Sequence, residues 1–361
     1  MRPAHAIIDL DAIRHNYRQS KVLAPSAKAI AIIKANAYGH GAVAVAKALS
    51  PEADAYGVAC LEEAMELRDS GITNPVLLLE GIFEPDELQQ VDQHDLYMAV
   101  ATERQLGWLL EAKLSKKVHV FLKMDSGMHR LGFSPADYPA VYARLAACPH
   151  VGQVTLMSHF SRADEPDQPT TERQLERISQ VNSSLGLNCS LANSAGTLAW
   201  PAAANQAYVR PGIMLYGASP LMAPDDPSHA LLKPAMSLRS EIFSVRELAA
   251  GEPIGYGENF ICDRPTRVGV VAIGYADGYS RHAQDGTPVS VNGKPSRIIG
   301  RVSMDMLTVD LTDLPDAKEG DPVELWGKEV DVNLVATHSR TISYTLFTSI
   351  TRRVPLRYIN Q

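Results

Sequence analysis

Short apolar runs alternate with amphipathic segments along the first two-thirds of the chain. The amphipathic segments, such as residues 62–68 and 170–185, have helical spacing, and the first of them stops at Ser70-Gly71. The apolar runs have the length of strands and begin near Ala29, Ala55, Val76, Leu96, Val118, Gln153, Asn188 and Ala207. Eight βα units in series predict an α/β fold of the (βα)8 TIM-like barrel type. An open doubly wound sheet is the alternative, which the lack of G-x-G-x-x-G after the first run disfavours.

The pattern changes near Pro234, where helical periodicity fades and glycine, proline and β-branched residues become dense. Short strands are predicted at residues 267–273, 287–291, 297–302, 307–311 and 322–326. The sequence Val291-Asn292-Gly293-Lys294 predicts a tight hairpin turn. We therefore expect a barrel domain at residues 1–233, followed by a mostly β C-terminal domain at residues 234–361.

The chain has 361 residues and a formal charge of 34 − 41 = −7. This mildly acidic balance, without a block of basic residues, argues against a nucleic-acid partner. No uncharged apolar run reaches the ~18 residues of a membrane span, and no signal-peptide pattern opens the chain, so we expect a cytoplasmic protein without a membrane partner. The four cysteines form no C-x-x-C pair, which fits free thiols in a reducing compartment and no metal site.

A single lysine, Lys34, ends the first apolar run and is followed by a glycine-containing loop. An amine beside apolar residues loses hydration, which favours its neutral form, and a neutral amine can form a Schiff base with an aldehyde such as pyridoxal phosphate. The alternative is a lysine that reaches out to water from the strand end. Polar residues also follow other predicted strands, where barrel active sites lie: Lys123, His159, Asn193-Ser194 and Arg210.

The segment around Lys34, Lys-Ala-Asn-Ala-Tyr-Gly-His-Gly, resembles the cofactor-lysine signature of bacterial alanine racemases. The resemblance covers essentially the whole chain, because further motifs of that family follow in order. They are KMDSGMHRLG from Lys123, SHF from Ser158, NSA from Asn193, RPGIMLYG from Arg210, GYG from Gly255, GYADGY from Gly274 and GRVSMD from Gly300. One departure is Thr345, since family members commonly carry glutamate after the equivalent of Tyr344.

The resemblance implies pyridoxal 5′-phosphate as the cofactor, with Lys34 as its covalent anchor. It places Arg210 opposite the pyridine nitrogen, and a guanidinium has no acceptor, so it must donate to an unprotonated nitrogen. For Asn193-Ser194 a plain helix N-cap is the alternative. The cofactor-binding set that the family implies is Lys34, Tyr38, His159, Asn193, Ser194, Arg210, Gly212, Ile213 and Tyr344.

The implied reaction interconverts L-alanine and D-alanine, so a proton leaves one face of Cα and returns to the other. Two bases satisfy this most simply, and the resemblance makes them Lys34 and Tyr256, the latter contributed by the partner subunit of a homodimer with shared active sites. Arg130 would bind the substrate carboxylate, because a guanidinium fork fits such oxygens. Lys123 is carbamylated in many family members and then orients that arginine. Further substrate contacts would come from Tyr275, Met304 and Asp305.

Three other hypotheses stay open at this point. A decarboxylase of the same architecture would keep an acidic partner for the pyridine nitrogen, which Arg210 is not. A racemase for serine or for bulkier amino acids is the second, although Tyr275 and Tyr344 have the size to narrow the entrance. A non-catalytic pyridoxal-phosphate carrier is the third, but such proteins resemble the barrel half alone. Two cellular roles also stay open, because the reaction can either supply D-alanine for peptidoglycan or feed alanine catabolism.

Overall fold

A computed structural model describes residues 2–221 and 226–361 of the chain. The chain begins with strand β1 (His5–Asp9) and helix α1 (Leu10–Leu23). Asp9 ends the strand and caps the helix, since its carboxylate accepts a hydrogen bond from the N–H of Ala12 at 3.3 Å. Within the described residues, no helix is long and apolar enough to cross a membrane.

In the part of the chain that the structure describes, eight parallel strands close into a barrel. Each strand coincides with one of the predicted apolar runs, and β2 pairs with the last strand to close the ring. The predicted barrel is therefore confirmed, and the open-sheet alternative is wrong. The strands are β2 (Lys28–Ile32), β3 (Ala55–Val58), β4 (Val76–Leu78), β5 (Tyr97–Val100), β6 (Val118–Lys123), β7 (Val151–Met157), β8 (Cys189–Ser190) and β9 (Tyr208–Val209).

The helices of the barrel part of the chain include those that the sequence predicts. The segment predicted at residues 62–68 forms α4, and the segment at residues 170–185 forms α8, which buries Ile178. The bounds are α2 (Lys34–Gly39), α3 (Ala42–Leu49), α4 (Leu61–Asp69), α5 (Glu87–Gln93), α6 (Glu103–Glu111), α7 (Tyr138–Ala146), α8 (Thr170–Asn182), α9 (Ser194–Ala199), α10 (Pro201–Ala204) and α11 (Ser228–Leu231).

The C-terminal part is mostly β, as predicted. Its strands are β10 (Met236–Leu248), β11 (Pro253–Ile254), β12 (Phe260–Ile261), β13 (Thr266–Val271), β14 (Pro288–Val291), β15 (Lys294–Arg297), β16 (Leu307–Asp310), β17 (Pro322–Trp326) and β18 (Leu356–Ile359). Two helices lie between the last two strands, α12 (Val332–His338) and α13 (Ser343–Thr348). The main sheet has the order β15-β14-β17-β10-β1-β18, with β13 on β10 and β16 on β13.

One of the strands predicted in this part is absent, whereas the predicted hairpin turn is present. Residues 297–302 do not form a strand, because β15 ends at Arg297 and only an isolated bridge joins Ile298 to Val309. The hairpin turn is confirmed, since Asn292 and Gly293 have φ values of 52° and 75° between β14 and β15.

The two ends of the chain meet in the C-terminal sheet. Strand β1 pairs antiparallel with β10 and parallel with β18, although it lies in the segment expected to form the barrel domain. The proposed division at residue 233 stays a prediction. The local sequence pattern does not predict this pairing, because it contains no signal for a strand partner that lies far away in the sequence.

A cluster of aromatic side chains joins the barrel to α13. The ring of Tyr38 lies 4.9 Å from that of Tyr216 and 5.8 Å from that of Tyr344, between centroids. The His40 ring stacks on Tyr216 at 4.4 Å and meets the edge of Phe347 at 4.9 Å. We call these five residues the barrel–helix aromatic cluster. Their packing holds the loop after β2 against α13 and so fixes one wall of the barrel mouth.

Candidate active site

The carboxyl ends of the barrel strands surround a cleft of about 510 Å³. Lys34 follows β2, Lys123 ends β6, His159 follows β7 and Arg210 follows β9. This is the end of a barrel at which active sites form. The predicted site residues that line the cleft are Lys34, Tyr38, Lys123, Arg130, His159, Asn193, Ser194, Arg210, Gly212, Ile213 and Tyr344.

The four other predicted site residues do not line this cleft. Tyr256 is 67% exposed and Met304 is 53% exposed, and both belong to the C-terminal part of the chain. Tyr275 and Asp305 are both half-buried. A single chain therefore does not bring the two predicted bases together.

The segment after Lys34 has an unusual backbone. Four consecutive residues, from Ala35 to Tyr38, have φ values between 51° and 54° with ψ between 43° and 51°, which is one turn of left-handed helix. Such a turn costs ~1–2 kcal/mol per L-residue, so surrounding contacts must stabilise it. Lys34 directly precedes this turn and Tyr38 ends it, and both side chains line the same cleft.

A small polar cradle lies at the ends of β8 and β9. The hydroxyl oxygen of Ser194 accepts hydrogen bonds from the N–H groups of Gly212 at 2.8 Å and Met214 at 3.3 Å. A Cβ atom at Gly212 would lie 2.9 Å from the Tyr38 hydroxyl, so a larger residue would push the Tyr38 side chain out of its present position. The Asn193 amide oxygen accepts from the N–H of Gly196 at 2.9 Å, so this side chain does act as a helix N-cap, and its cofactor contact stays a prediction. A hydroxyl, a phenol and turn N–H groups are donors that suit a phosphate.

Arg210 is buried at the centre of the barrel mouth. Its Nη1 donates to the carbonyl and hydroxyl oxygens of Ser190 at 2.6 and 2.8 Å, and its Nη2 donates to the Ser158 carbonyl at 2.7 Å. Its Nη2 also lies 3.4 Å from Nδ1 of His159. Burial lowers the pKa of Arg210 to about 10, which leaves it charged at neutral pH. These bonds fix the plane of the guanidinium, so its orientation is set before any ligand arrives.

The charges of the cleft are strongly unbalanced. Among the described lining residues, Lys34, Lys123, Arg130 and Arg210 are cationic, whereas Glu80 is the one carboxylate. Burial, with the nearby charges of Arg210 and Arg130, lowers the pKa of Lys123 to about 8. Burial and the same arginines lower the pKa of His159 to about 3, so its imidazole is neutral. The cleft suits an anionic ligand.

Residues outside the predicted set also line the cleft. They are Ile32, Ala35, Leu79, Glu80, Leu131, Met157 and Thr348. The signal for Glu80 was present in the sequence, because it is the polar residue that closes the third apolar run, which begins at Val76. The others are apolar or small, and such residues at the end of a strand or helix carry no signal in the sequence that marks them as part of a cleft.

Protein-family models divide the chain into two consecutive matches. The alanine racemase N-terminal domain matches residues 8–220, and the alanine racemase C-terminal domain matches residues 235–358. The chain belongs to the alanine racemase family. It is thus a racemase, an isomerase, and the family resemblance drawn from the ordered motifs is confirmed.

Known alanine racemases match over the full length of the chain. The catabolic alanine racemase of Pseudomonas putida is 54% identical over 361 residues, which is 100% of both chains. The crystal structure of the biosynthetic alanine racemase from Pseudomonas aeruginosa matches with a TM-score of 0.96 and 50% identity over 100% of both chains. The alanine racemase from Bartonella henselae with covalently bound pyridoxal phosphate has a TM-score of 0.89 at 30% identity, over 99% of this chain and 100% of that one.

Proposed function

We propose that this racemase interconverts L-alanine and D-alanine, with pyridoxal 5′-phosphate bound at the barrel mouth. The observation that carries the proposal is the cleft in which Lys34, the Ser194 cradle and Arg210 come together. Relatives named alanine racemase support the choice of alanine. Arg210 counts against the decarboxylase hypothesis, and the matching C-terminal domain counts against a carrier that consists of the barrel half.

The residues of the cleft fit the cofactor chemically. The N–H groups that now donate to Ser194 and the hydroxyls of Tyr38 and Tyr344 suit a phosphate dianion, while Gly212 leaves room for its approach. Burial raises the pKa of Tyr38 to about 12, so its phenol stays a donor. When bound, the cofactor links to an amine and takes up the negative charge formed as the substrate Cα loses its proton.

Arg210 sets the electronic character of the site. Its guanidinium can only donate, and its Nη atoms are held by strand-end carbonyls, so it offers a fixed N–H to a ring nitrogen that has no proton. A ring held in this way draws less charge from Cα than a ring with a protonated nitrogen. We infer that this restrains side reactions such as transamination.

Arg130 binds the substrate carboxylate in this proposal, and Lys123 orients it. A neutral amine reacts with carbon dioxide, and the lowered pKa of Lys123 favours that form. Carbamylation replaces a cation by an anion between Arg130 and Arg210, which relieves the repulsion of like charges. The carbamate then accepts from the guanidinium of Arg130 and holds it towards the substrate.

The second base comes from another copy of the chain. Lys34 moves the proton on one face of Cα, and Tyr256 serves the opposite face from the partner subunit of a homodimer. The exposure of Tyr256 and Met304 supports this, because large side chains outside the cleft of their own chain are free to complete a neighbouring one. Tyr275 and Asp305 approach the partner's site with them.

The cellular setting is part of the same proposal. Cys60, Cys148, Cys189 and Cys262 are free thiols, which suits the reducing cytoplasm. D-alanine would serve either peptidoglycan synthesis or alanine breakdown. A relative named catabolic and a structure named biosynthetic match at 54% and 50% identity, so similarity does not choose between the two roles.

Chiral chromatography of L-alanine incubated with the purified, cofactor-loaded protein tests the proposal. We expect the mixture to approach equal amounts of L- and D-alanine, since the two enantiomers have the same free energy in water. L-Serine, tested in parallel, measures whether a hydroxymethyl side chain fits. Yellow holoprotein that forms no D-alanine would contradict the proposed substrate.

A further inference from the structure

The left-handed turn after Lys34 needs contacts that hold it. Its far end is secured locally, because the Asn36 side chain accepts from the N–H of Ala42 at 2.8 Å and the Asn36 carbonyl accepts from the N–H of Gly41 at 2.9 Å. The His40 ring lies 3.1 Å from the Ala37 carbonyl through its Nδ1. These contacts leave the first residue of the turn, Ala35, to be held by another part of the fold.

Glu63 supplies that contact from the first turn of α4. Its Oε1 accepts a hydrogen bond from the N–H of Ala35 at 2.7 Å, and its Oε2 accepts from the N–H of Ala59 at 2.7 Å. Ala59 directly follows β3, which pairs with β2, the strand that leads to Lys34. One half-buried carboxylate therefore ties together the ends of two neighbouring barrel strands.

We propose that Glu63 is a positioning residue for the catalytic lysine. Its two carboxylate oxygens accept hydrogen bonds from the main-chain N–H groups of Ala35 and Ala59, and these bonds fix the backbone that carries Lys34. The inference rests on the proposed role of Lys34. Glu63 touches neither substrate nor cofactor in this proposal, and it acts only through the backbone that carries Lys34.

The chemistry of the carboxylate explains why a glutamate is needed here. Both partners are N–H donors, so both atoms that face them must be acceptors, and only an ionised carboxyl group offers two. Hydrogen bonds to an ionised acceptor are also stronger than bonds between neutral groups. An amide would turn one NH₂ group towards a backbone N–H and lose one of the two bonds.

The experiment compares Glu63→Gln with Glu62→Gln in the full-length holoenzyme. Glu62 is the neighbouring, exposed residue in the same helical turn, so it controls for the loss of one negative charge. We expect Glu63→Gln to lower kcat by about tenfold with little change in KM for alanine, because Lys34 is displaced while substrate binding is kept. Glu62→Gln should behave as the wild type.

A second readout follows the turn itself. Hydrogen exchange of the peptide that contains residues 34–41 should become at least severalfold faster in Glu63→Gln and stay unchanged in Glu62→Gln. The visible absorption of the lysine-bound cofactor should also shift, since its attachment point has moved. A purely structural role would instead lower stability without separating kcat from KM.

Glu63→Asp keeps the proposal testable if Glu63→Gln fails to fold. The shorter carboxylate keeps its charge but reaches only one of the two N–H groups, so we expect a smaller loss of kcat and faster exchange at residues 34–41. Wild-type kcat, spectrum and exchange in a folded Glu63 variant would overturn the proposal. The hydrogen-exchange comparison does not require racemisation, so failure of the proposed function is recognised separately.

Discussion

At the scale of single residues, the barrel mouth contains buried cationic side chains that are not balanced by an equal number of carboxylates. Arg210 uses strand-end oxygens from Ser158 and Ser190 to keep its charge, which explains how a guanidinium can be buried there. Lys123 lies near it without comparable compensation, and its pKa falls to about 8. Glu80 is the one lining carboxylate among the described residues. The site therefore gains from any anion that enters it.

This imbalance predicts a modification that can be observed directly. In ¹³C-labelled bicarbonate, the neutral amine of Lys123 should bond to the carbon of dissolved carbon dioxide with loss of one proton. We expect a carbamate carbon signal in the ¹³C NMR spectrum of the wild type. The signal should be absent from Lys123→Gln and retained in Lys117→Gln, which removes an exposed lysine. A fully active wild type without the signal would mean that Lys123 works as a plain amine.

At the scale of elements, the short α2 segment shows how the fold stabilises a strained conformation. Gly41, with φ of 93°, leaves room for Tyr358 of β18, whose hydroxyl would lie 1.9 Å from a Cβ at that position. His40 is completely buried between Tyr216 and Phe347. The segment is thus held by residues from both halves of the chain, and it should be sensitive to anything that charges its interior.

Acid should therefore destabilise the protein through His40. Burial lowers the pKa of His40 from 6.5 to about 4. As the pH falls below about 6.5, the His40 imidazole binds a proton in the unfolded chain. In the folded protein the same imidazole stays neutral until the pH reaches about 4. The free energy of unfolding therefore decreases across this window. The contribution of His40 is roughly 3 kcal/mol.

Urea unfolding at pH 7 and at pH 4.5 measures this effect. The loss of stability between the two pH values should be smaller in His40→Gln than in the wild type, even though His40→Gln is less stable at pH 7. His282→Gln, which changes an exposed histidine, should keep the wild-type pH dependence. Equal pH dependence in all three proteins would contradict the role given to His40.

At the scale of the whole molecule, the ends of the chain support the surface that carries Met304. Arg2 pairs with Asp277 at 2.8 Å and with Asp305 at 3.3 Å, while Arg353 pairs with Asp305 at 2.6 Å and with Asp277 at 3.3 Å. The Asp305 carboxylate is thus engaged within its own chain. The substrate contact predicted for Asp305 stays a prediction. Within its own chain, the Asp305 carboxylate joins the cluster of four charges and so holds the loop that carries Met304.

Subunit mixing tests the shared active site. Lys34→Ala and Tyr256→Phe should each be nearly inactive alone, because each removes one of the two proposed bases from every site. In a dissociated and reassociated equal mixture, about a quarter of all sites should regain both bases, since half of the dimers are mixed and each has one intact site. Activity near that fraction of the wild type is expected.

The control for this experiment is a mixture of Lys34→Ala with Lys34→Arg. No site in that mixture holds a native Lys34, so activity should stay at the level of the parents. If the first mixture also stayed inactive although the subunits had exchanged, then both bases would belong to one chain and the exposed position of Tyr256 would need another explanation.

Local pattern was sufficient for the barrel and for much of the cleft. Each barrel strand is a short apolar run, and residues at strand ends such as Lys34, Lys123 and Arg210 must meet, because parallel strands in a closed barrel finish on the same side. The Asn292-Gly293 turn was also predictable, since its positive φ values follow from residue type. The ordered motifs were enough to identify the family.

Long-range packing decided the rest. Strand β10 escaped prediction because charged residues such as Arg239 and Glu241 interrupt its apolar pattern, and the partners that make it a strand come from β1, β13 and β17. A run of alanine, asparagine and tyrosine residues does not by itself favour the left-handed conformation that residues 35–38 adopt. It exists because Glu63 and Phe347, which are distant in sequence, surround that turn, and contacts of this kind are formed only when the chain is folded.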